Sequence, residues 1–448
     1  MTHHATPAPR SAPVHGTRVV HGPAGELLAR LDGDLLRAGA VRYARADRFR
    51  PPVDEPRSTE PVDATGWSPS APQPPDPLGL DVFGPDSSRP LPPSEDCLRL
   101  TVTAPADAAP GEDLPVIVWI HGGSYVSGAG DAISYDPASL VREQRLVVVA
   151  VTYRLGVLGF LGDEVRPANL GLLDLLSALR WVRRNIAAFG GDPAAVTAMG
   201  ESAGGDAVAH LLLTAEGPGL FHRAIIQSAP LGISRRRAAM NATMARALRQ
   251  VPDDAPLGVL LAAQQRVTRR VLPRHGLRGA MPFGPQYGFA PLPSEDRREA
   301  VWARVAADVE VLVGTNAREA ALFLAGRTPG ERAPVVGGLL LEGAVSALTA
   351  AVYGRAADRF VDRHRRGGGR AVRYTFLGGP GHHPLRAAHA TELPLLLGDA
   401  AAWQGVPVLA GREDADLRTW GPPLRAAWAE FARSGRPPTD VPDLLHVD

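Results

Sequence analysis

The sequence contains no lysine: all 48 of its basic residues are arginine. That absence removes Schiff-base chemistry, the serine–lysine dyad and the lysine of a phosphate-binding loop. It contains a single cysteine, Cys97, so no internal disulfide can form and the fold needs no oxidising compartment. It lacks a charge imbalance: the formal net charge is +1, so no whole-molecule field draws it to nucleic acid or an anionic membrane. No run approaches the roughly 18 apolar residues of a membrane span, and the opening "MTHHATPAPRSAPVHGTRVV" has no apolar core of signal-peptide length. These absences predict a cytoplasmic protein with no membrane or nucleic-acid partner. Neither H-E-x-x-H nor paired cysteines occur, so no metal site is expected.

What is present is the alternation of a parallel sheet with helices on both faces. "LPVIVWI" (114–120), "RLVVVAVTY" (145–153), "AVTAM" (195–199), "RAIIQ" (223–227), "VEVLVG" (309–314) and "AVRYTFLG" (371–378) predict buried strands. "TRVVHGPAGELLARL" predicts two short strands around a turn, and "CLRLTVTAP" one more. Leu172, Leu175, Leu176, Leu179, Val182 and Ile186 recur at helical spacing, with Gly190 and Gly191 expected to stop that helix. Residues 1–15 are expected to be a flexible tail, and the proline-rich residues 69–93 a surface loop. Residues 16–448 are expected to form one catalytic domain. Two insertions stand outside its rhythm: 231–298, helical to 275 and irregular beyond, and 325–370, of mixed character. The latter holds "DRFVDRHRRGGGR", which predicts a solvated loop.

Chemistry concentrates at "VTAMGESAGGDAV" (196–208), where an apolar strand meets a helix. G-x-S-x-G alone is a weak signal in a chain with 48 glycines; its strand–turn–helix setting is what makes Ser202 a candidate nucleophile. A serine hydroxyl needs an oriented base, expected here in the order nucleophile, acid, histidine. Glu319 in "GTNAREA" and His389 in "RAAHATELP" supply that order. "WIHGGSYVSG" (119–128) places glycines after a strand, where backbone N–H groups can face a developing oxyanion. Because the base must be neutral, activity is expected to fall on acidification through about pH 6–7.

These segments together resemble the type-B carboxylesterases, the α/β-hydrolase family of cholinesterases and para-nitrobenzyl esterases. "SEDCLRLTV", "NLGLLDLLSALRWVRRNIAAFGGDPAAVTAMGESAGG", "LFHRAIIQSA", "GTNAREA", "HATELPLLLG" and "WAEFARSGRP" follow that family's order. The resemblance implies an α/β-hydrolase fold with helical cap insertions, and hydrolysis of a small-molecule carboxylic ester through an acyl-enzyme, with no cofactor. It implies Ser202, Glu319 and His389 as the triad, and the N–H groups of Gly123, Ser124 and Ala203 as oxyanion donors. Gly122 would let the loop bend, Glu201 would shape the local field, and Ser228 would hydrogen-bond behind the triad. Ser124 stands where the family has glycine or alanine, which narrows the acyl site. The cysteine that pairs with the Cys97 position in secreted relatives is missing. Phe83 is the one aromatic where a choline-binding tryptophan would stand, which argues against choline esters. Only 70 positions separate Glu319 from His389, short for the family, which implies a trimmed cap and a more open pocket. The alternatives are the same chemistry on a lactone, carbamate or thioester, and a non-catalytic binding protein on this scaffold.

Overall fold

The computed structural model describes residues 15–75, 91–324 and 334–448, with the backbone alone at 15 and at 334–337. Most of the expected tail, the centre of the proline-rich loop with Phe83, and residues 325–333 of the second insertion lie outside the described residues. His15, expected within that tail, already pairs in the first strand.

Four strands lead into the sheet: β1 (His15–Gly22), β2 (Gly25–Asp32), β3 (Leu35–Arg42) and β4 (Arg99–Pro105). They pair antiparallel in that order, and a three-residue segment, Val62–Ala64, lies parallel to β2. Next come β5 (Leu114–Ile120), β6 (Val147–Val151), β7 (Gly191–Glu201), β8 (Arg223–Gln227), β9 (Glu310–Asn316) and β10 (Ala371–Phe376). These six are mutually parallel in the spatial order β6-β5-β7-β8-β9-β10. β6 pairs antiparallel with β4, and a last antiparallel strand, β11 (Leu445–Val447), closes the far edge. The sheet has 12 strands and is mostly parallel at its centre, as the sequence pattern required.

The parallel block is buried on both faces, which is why its strands read as unbroken apolar runs. Val116, Val118 and Ile120 of β5 enter one core with Leu172, Leu176 and Val208. Ile117 and Trp119, on the opposite face, enter a second with Leu424, Trp428 and Phe431. Helix α1 (Leu170–Asn185) buries the predicted leucine stripe and continues as a 3-10 turn to Phe189. Gly190, at φ 81°, ends it in the left-handed conformation. Gly191 was expected to share that role, but it opens β7 instead.

Helix α2 (Ala203–Leu211) follows β7 directly. The first insertion folds as α3 (Ala238–Leu248) and α4 (Leu257–His275) before its irregular part. The second is more regular than expected: α5 (Pro334–Thr349), a π-helical turn over Ala350–Gly354, and α6 (Arg355–Arg366). Most of the arginine-rich segment therefore lies on a helix and is not a solvated loop. Its Phe360, Val361 and His364 supply an inward stripe that the charge had hidden. A long helix, α7 (Asp414–Ser434), covers the second face. No described helix is long and apolar enough to cross a membrane.

Candidate active site

Because β5, β7, β8, β9 and β10 are parallel, their carboxyl ends share one edge of the sheet, where open α/β folds place ligands. The loop beginning His121 leaves β5, Ser202 leaves β7, Ser228 leaves β8, and Glu319 lies three residues past β9. His389 stands in the long connection after β10. Topology thus gathers residues 268 positions apart in sequence, from His121 to His389, without any long-range sequence signal.

Ser202 sits at φ 55°, ψ −121°, a conformation that costs about 1–3 kcal/mol for a residue with a side chain. Its N–H donates to the Gln227 carbonyl at 2.9 Å, and its own carbonyl accepts from Asp206 N–H at 2.9 Å. These bonds and the start of α2 hold the strained turn. A side chain at Gly204 would collide with the Ile120 carbonyl, so α2 can approach β5 only with glycine there. The result is a partly exposed hydroxyl beside a fully buried Ala203.

His389 Nε2 lies 2.9 Å from Ser202 Oγ, and its Nδ1 lies 2.6 Å from Glu319 Oε2. The other oxygen of Glu319 accepts the Asn316 N–H at 2.8 Å, which fixes the carboxylate at the end of β9. Glu319 has no exposed surface, so nothing competes for its charge. Glu201 Oε1 lies 3.1 Å from His389 Nε2 but off hydrogen-bonding geometry, so that contact is Coulombic. Glu392 accepts from Asn316 Nδ2 at 2.6 Å and Gln227 Nε2 at 3.3 Å. Burial disfavours the His389 imidazolium, but Glu201, Glu319 and Glu392 outweigh it and push its pKa up to about 9. Burial in turn raises the Glu201 and Glu392 carboxyls above the ordinary carboxylate range. The expected loss of activity on acidification therefore moves to higher pH than an isolated histidine would give.

After β5, Gly123 (φ 102°) and Ser124 (φ 55°) turn the loop back on itself. Among the described residues, nothing accepts from the N–H groups of Gly123, Ser124 or Ala203. Ala203 opens α2, where the first N–H groups have no intrahelical partner. Gly122 packs under the nucleophile turn: an added Cβ there would lie 2.9 Å from Glu201 and 3.1 Å from Ser202 Cβ. The Ser228 expectation needs correction. Its backbone N–H donates to Gly314 at 2.8 Å, but its buried hydroxyl has no partner among the described residues.

A model of the carboxylesterase family matches residues 39–335. The chain belongs to the carboxylesterase family. It is a carboxylic-ester hydrolase with an α/β-hydrolase fold, as the resemblance implied. A probable N-octanoylanthranilate hydrolase from Rhodococcus erythropolis is 39% identical over 94% of this chain and 93% of its own length. The para-nitrobenzyl esterase of Bacillus subtilis is 32% identical over 88% and 84%. A solved thermophilic PNB esterase superposes with a TM-score of 0.79 at 27% identity, covering 96% of this chain and 97% of that one.

This carboxylesterase also holds contacts that its motifs did not reveal. Tyr125 Oη donates to Asp206 Oδ2 at 2.8 Å, tying the loop after β5 to the nucleophile helix. Both groups are buried, and Arg237 adds charge behind Asp206 while donating to the Met281 and Pro282 carbonyls at 2.7 and 2.6 Å. Tyr353 and Phe323 each hold a ring 5.3 Å from the His389 ring. Asp206 stands four residues after Ser202, a helical spacing that was legible, but its tyrosine partner lies 81 positions away. Cys97 is fully buried, and burial pushes its thiol up to about 12, which leaves it an inert core residue.

Proposed function

We propose that Ser202, Glu319 and His389 are the catalytic triad of this esterase. The observation that carries the reading is the continuous relay from Glu319 through His389 to Ser202, at 2.6 and 2.9 Å. Ser202 Oγ attacks the ester carbonyl as His389 Nε2 takes its proton; Glu319 holds the Nδ1–H and stabilises the imidazolium. The N–H groups of Gly123, Ser124 and Ala203 receive the oxyanion, each worth about 2.7–4 kcal/mol in comparable sites. The alcohol leaves with the proton from His389. Water, activated by the same imidazole, then releases the acid and restores Ser202.

The insertions 231–298 and 325–370 are read as the walls of the substrate pocket within one catalytic domain. The ring of Tyr353 against His389, and the Gly232 N–H donating to the Val352 carbonyl at 2.8 Å, support that placement. The substrate is read as a small-molecule ester and the enzyme as cytoplasmic, in keeping with its single cysteine.

A fluorophosphonate probe tests the triad. Stoichiometric labelling of Ser202 with loss of nitrophenyl-ester hydrolysis is the expected result; an unlabelled Ser202 in folded protein overturns it and favours a non-catalytic binding role. One observation favours a second reading, cleavage of an N-acyl bond: the likeness to the probable N-octanoylanthranilate hydrolase. Comparing kcat/KM for N-octanoylanthranilate and for a nitrophenyl octanoate ester separates the two.

A further inference from the structure

At the far end of α2 lies a cavity of about 280 Å³. Its lining includes Arg235, Arg298, Arg359, Arg363 and Arg366, against one acid, Glu299. Glu299 contacts Arg298 and lies 3.8 Å from Arg363, and it is itself 60% exposed. Arg235 has a partner of its own in Glu295 at 3.2 Å. Arg359 and Arg366 have no ion-pair partner among the described residues. The cavity therefore concentrates positive charge that the protein leaves largely uncompensated, in a chain whose net charge is only +1.

The buried wall is short of acceptors as well. Arg298 is 7% exposed and its Nε has no partner among the described residues; Trp302 is 2% exposed, with Nε1 likewise unpartnered there. The Arg363 guanidinium lies 4.0 Å above the Trp302 ring, a stacked arrangement that orients its fork. Burial, and then the neighbouring Arg298, lower Arg363 to about 10. An anion between these groups would relieve that repulsion and accept the orphaned N–H donors.

We propose that this cavity is a binding site for a small organic anion, a phosphate or carboxylate head on an aromatic or short apolar body. The arginines take the head, and Trp302 with Phe360 forms the apolar wall. The site is separate from the hydrolytic centre. His210 lies eight residues beyond Ser202 along α2, about 12 Å at 1.5 Å per residue. Ala356, Phe360 and Arg363 likewise lead away from Tyr353, the residue that touches His389.

The test is calorimetric titration with phenyl phosphate and with inorganic phosphate, at ionic strength held constant with sodium chloride. It is repeated on enzyme phosphonylated at the catalytic serine. Saturable binding of phenyl phosphate, tighter than that of phosphate and retained after phosphonylation, is expected. The Arg359→Gln/Arg366→Gln double variant, altered only at exposed rim residues, should weaken it about tenfold or more. Arg363→Gln, checked for folding by circular dichroism, should weaken it further. Absence of saturable binding, loss on phosphonylation, or indifference to the rim variant each overturns the proposal.

Discussion

The two ends of the nucleophile helix are electrostatic opposites. At its start, Glu201, Glu319 and Glu392 surround one imidazole; two turns later, five arginines face one glutamate. The arrangement agrees in sign with the helix macrodipole, which favours anions near the N-terminus and cations near the C-terminus. The difference lies in satisfaction. At the acidic end Glu319 is bonded through both oxygens, to His389 and Asn316, and is aimed at a single atom. At the basic end Arg298, Arg363 and Trp302 keep unused donors. One end is preorganised to act on whatever reaches Ser202, while the other is built to be completed by something else.

The largest effect expected from breaking the comparison is at the acidic end. Ser202→Ala should lower kcat for a nitrophenyl ester by about 10⁶-fold, and Glu319→Gln by about 10⁴-fold, with unchanged circular dichroism. Residual turnover above a few per cent would remove Ser202 from the mechanism. Tyr125→Phe comes next: it leaves the buried Asp206 short of a donor, which costs about 1–3 kcal/mol of stability. It should also lower kcat about tenfold through a displaced oxyanion loop, with KM little changed. An unaltered kcat would make the contact purely structural.

Glu201→Gln sharpens the electrostatic side. The reaction needs neutral His389, so kcat/KM rises with pH through the imidazole pKa, and the wild-type midpoint should lie above 6.5. Removing the Glu201 charge removes support for the imidazolium, so the midpoint should move to lower pH. A profile that stays put would mean that Glu201 carries its proton throughout. The smallest effect belongs to the basic end: Arg359→Gln/Arg366→Gln should leave hydrolysis of a neutral ester within about twofold of wild type. A larger loss would show that the arginine-lined cavity serves the reaction directly.

Much of the acidic end was legible before any fold was known. Ser202 lay in a strand–turn–helix pattern, and Glu319 and His389 stood in segments whose order matched a family. The basic end was not legible. Arg235, Arg298 and the arginines of α6 come from three separate stretches, read respectively as helical, irregular and a solvated loop, and nothing in the pattern linked them. The segment 358–370 even read as a loop, because its few apolar residues were outnumbered by charge. β3 was missed for a related reason: "LLRAGAVR" mixes glycine and arginine into a strand whose Arg37 is buried by pairing with Asp32 and Asp136. The hydroxyl of Ser228, expected to hydrogen-bond, is buried without a partner among the described residues, an outcome that depends on tertiary neighbours and not on residue type.

What the chain's own order determined is the local chemistry: apolar runs long enough to be buried strands, glycines where a turn must be tight, and a serine, a glutamate and a histidine in a productive sequence. Only tertiary structure decided which groups meet. Parallel pairing brings the ends of five strands to one edge, and the packing of α6 against the first insertion brings Arg235, Arg298 and the arginines of α6 to one wall. The reason is physical: hydrophobic periodicity and turn sterics act over a few residues and are written locally. Charge–charge contacts and orphaned donors depend on distances that exist only once the sheet has assembled.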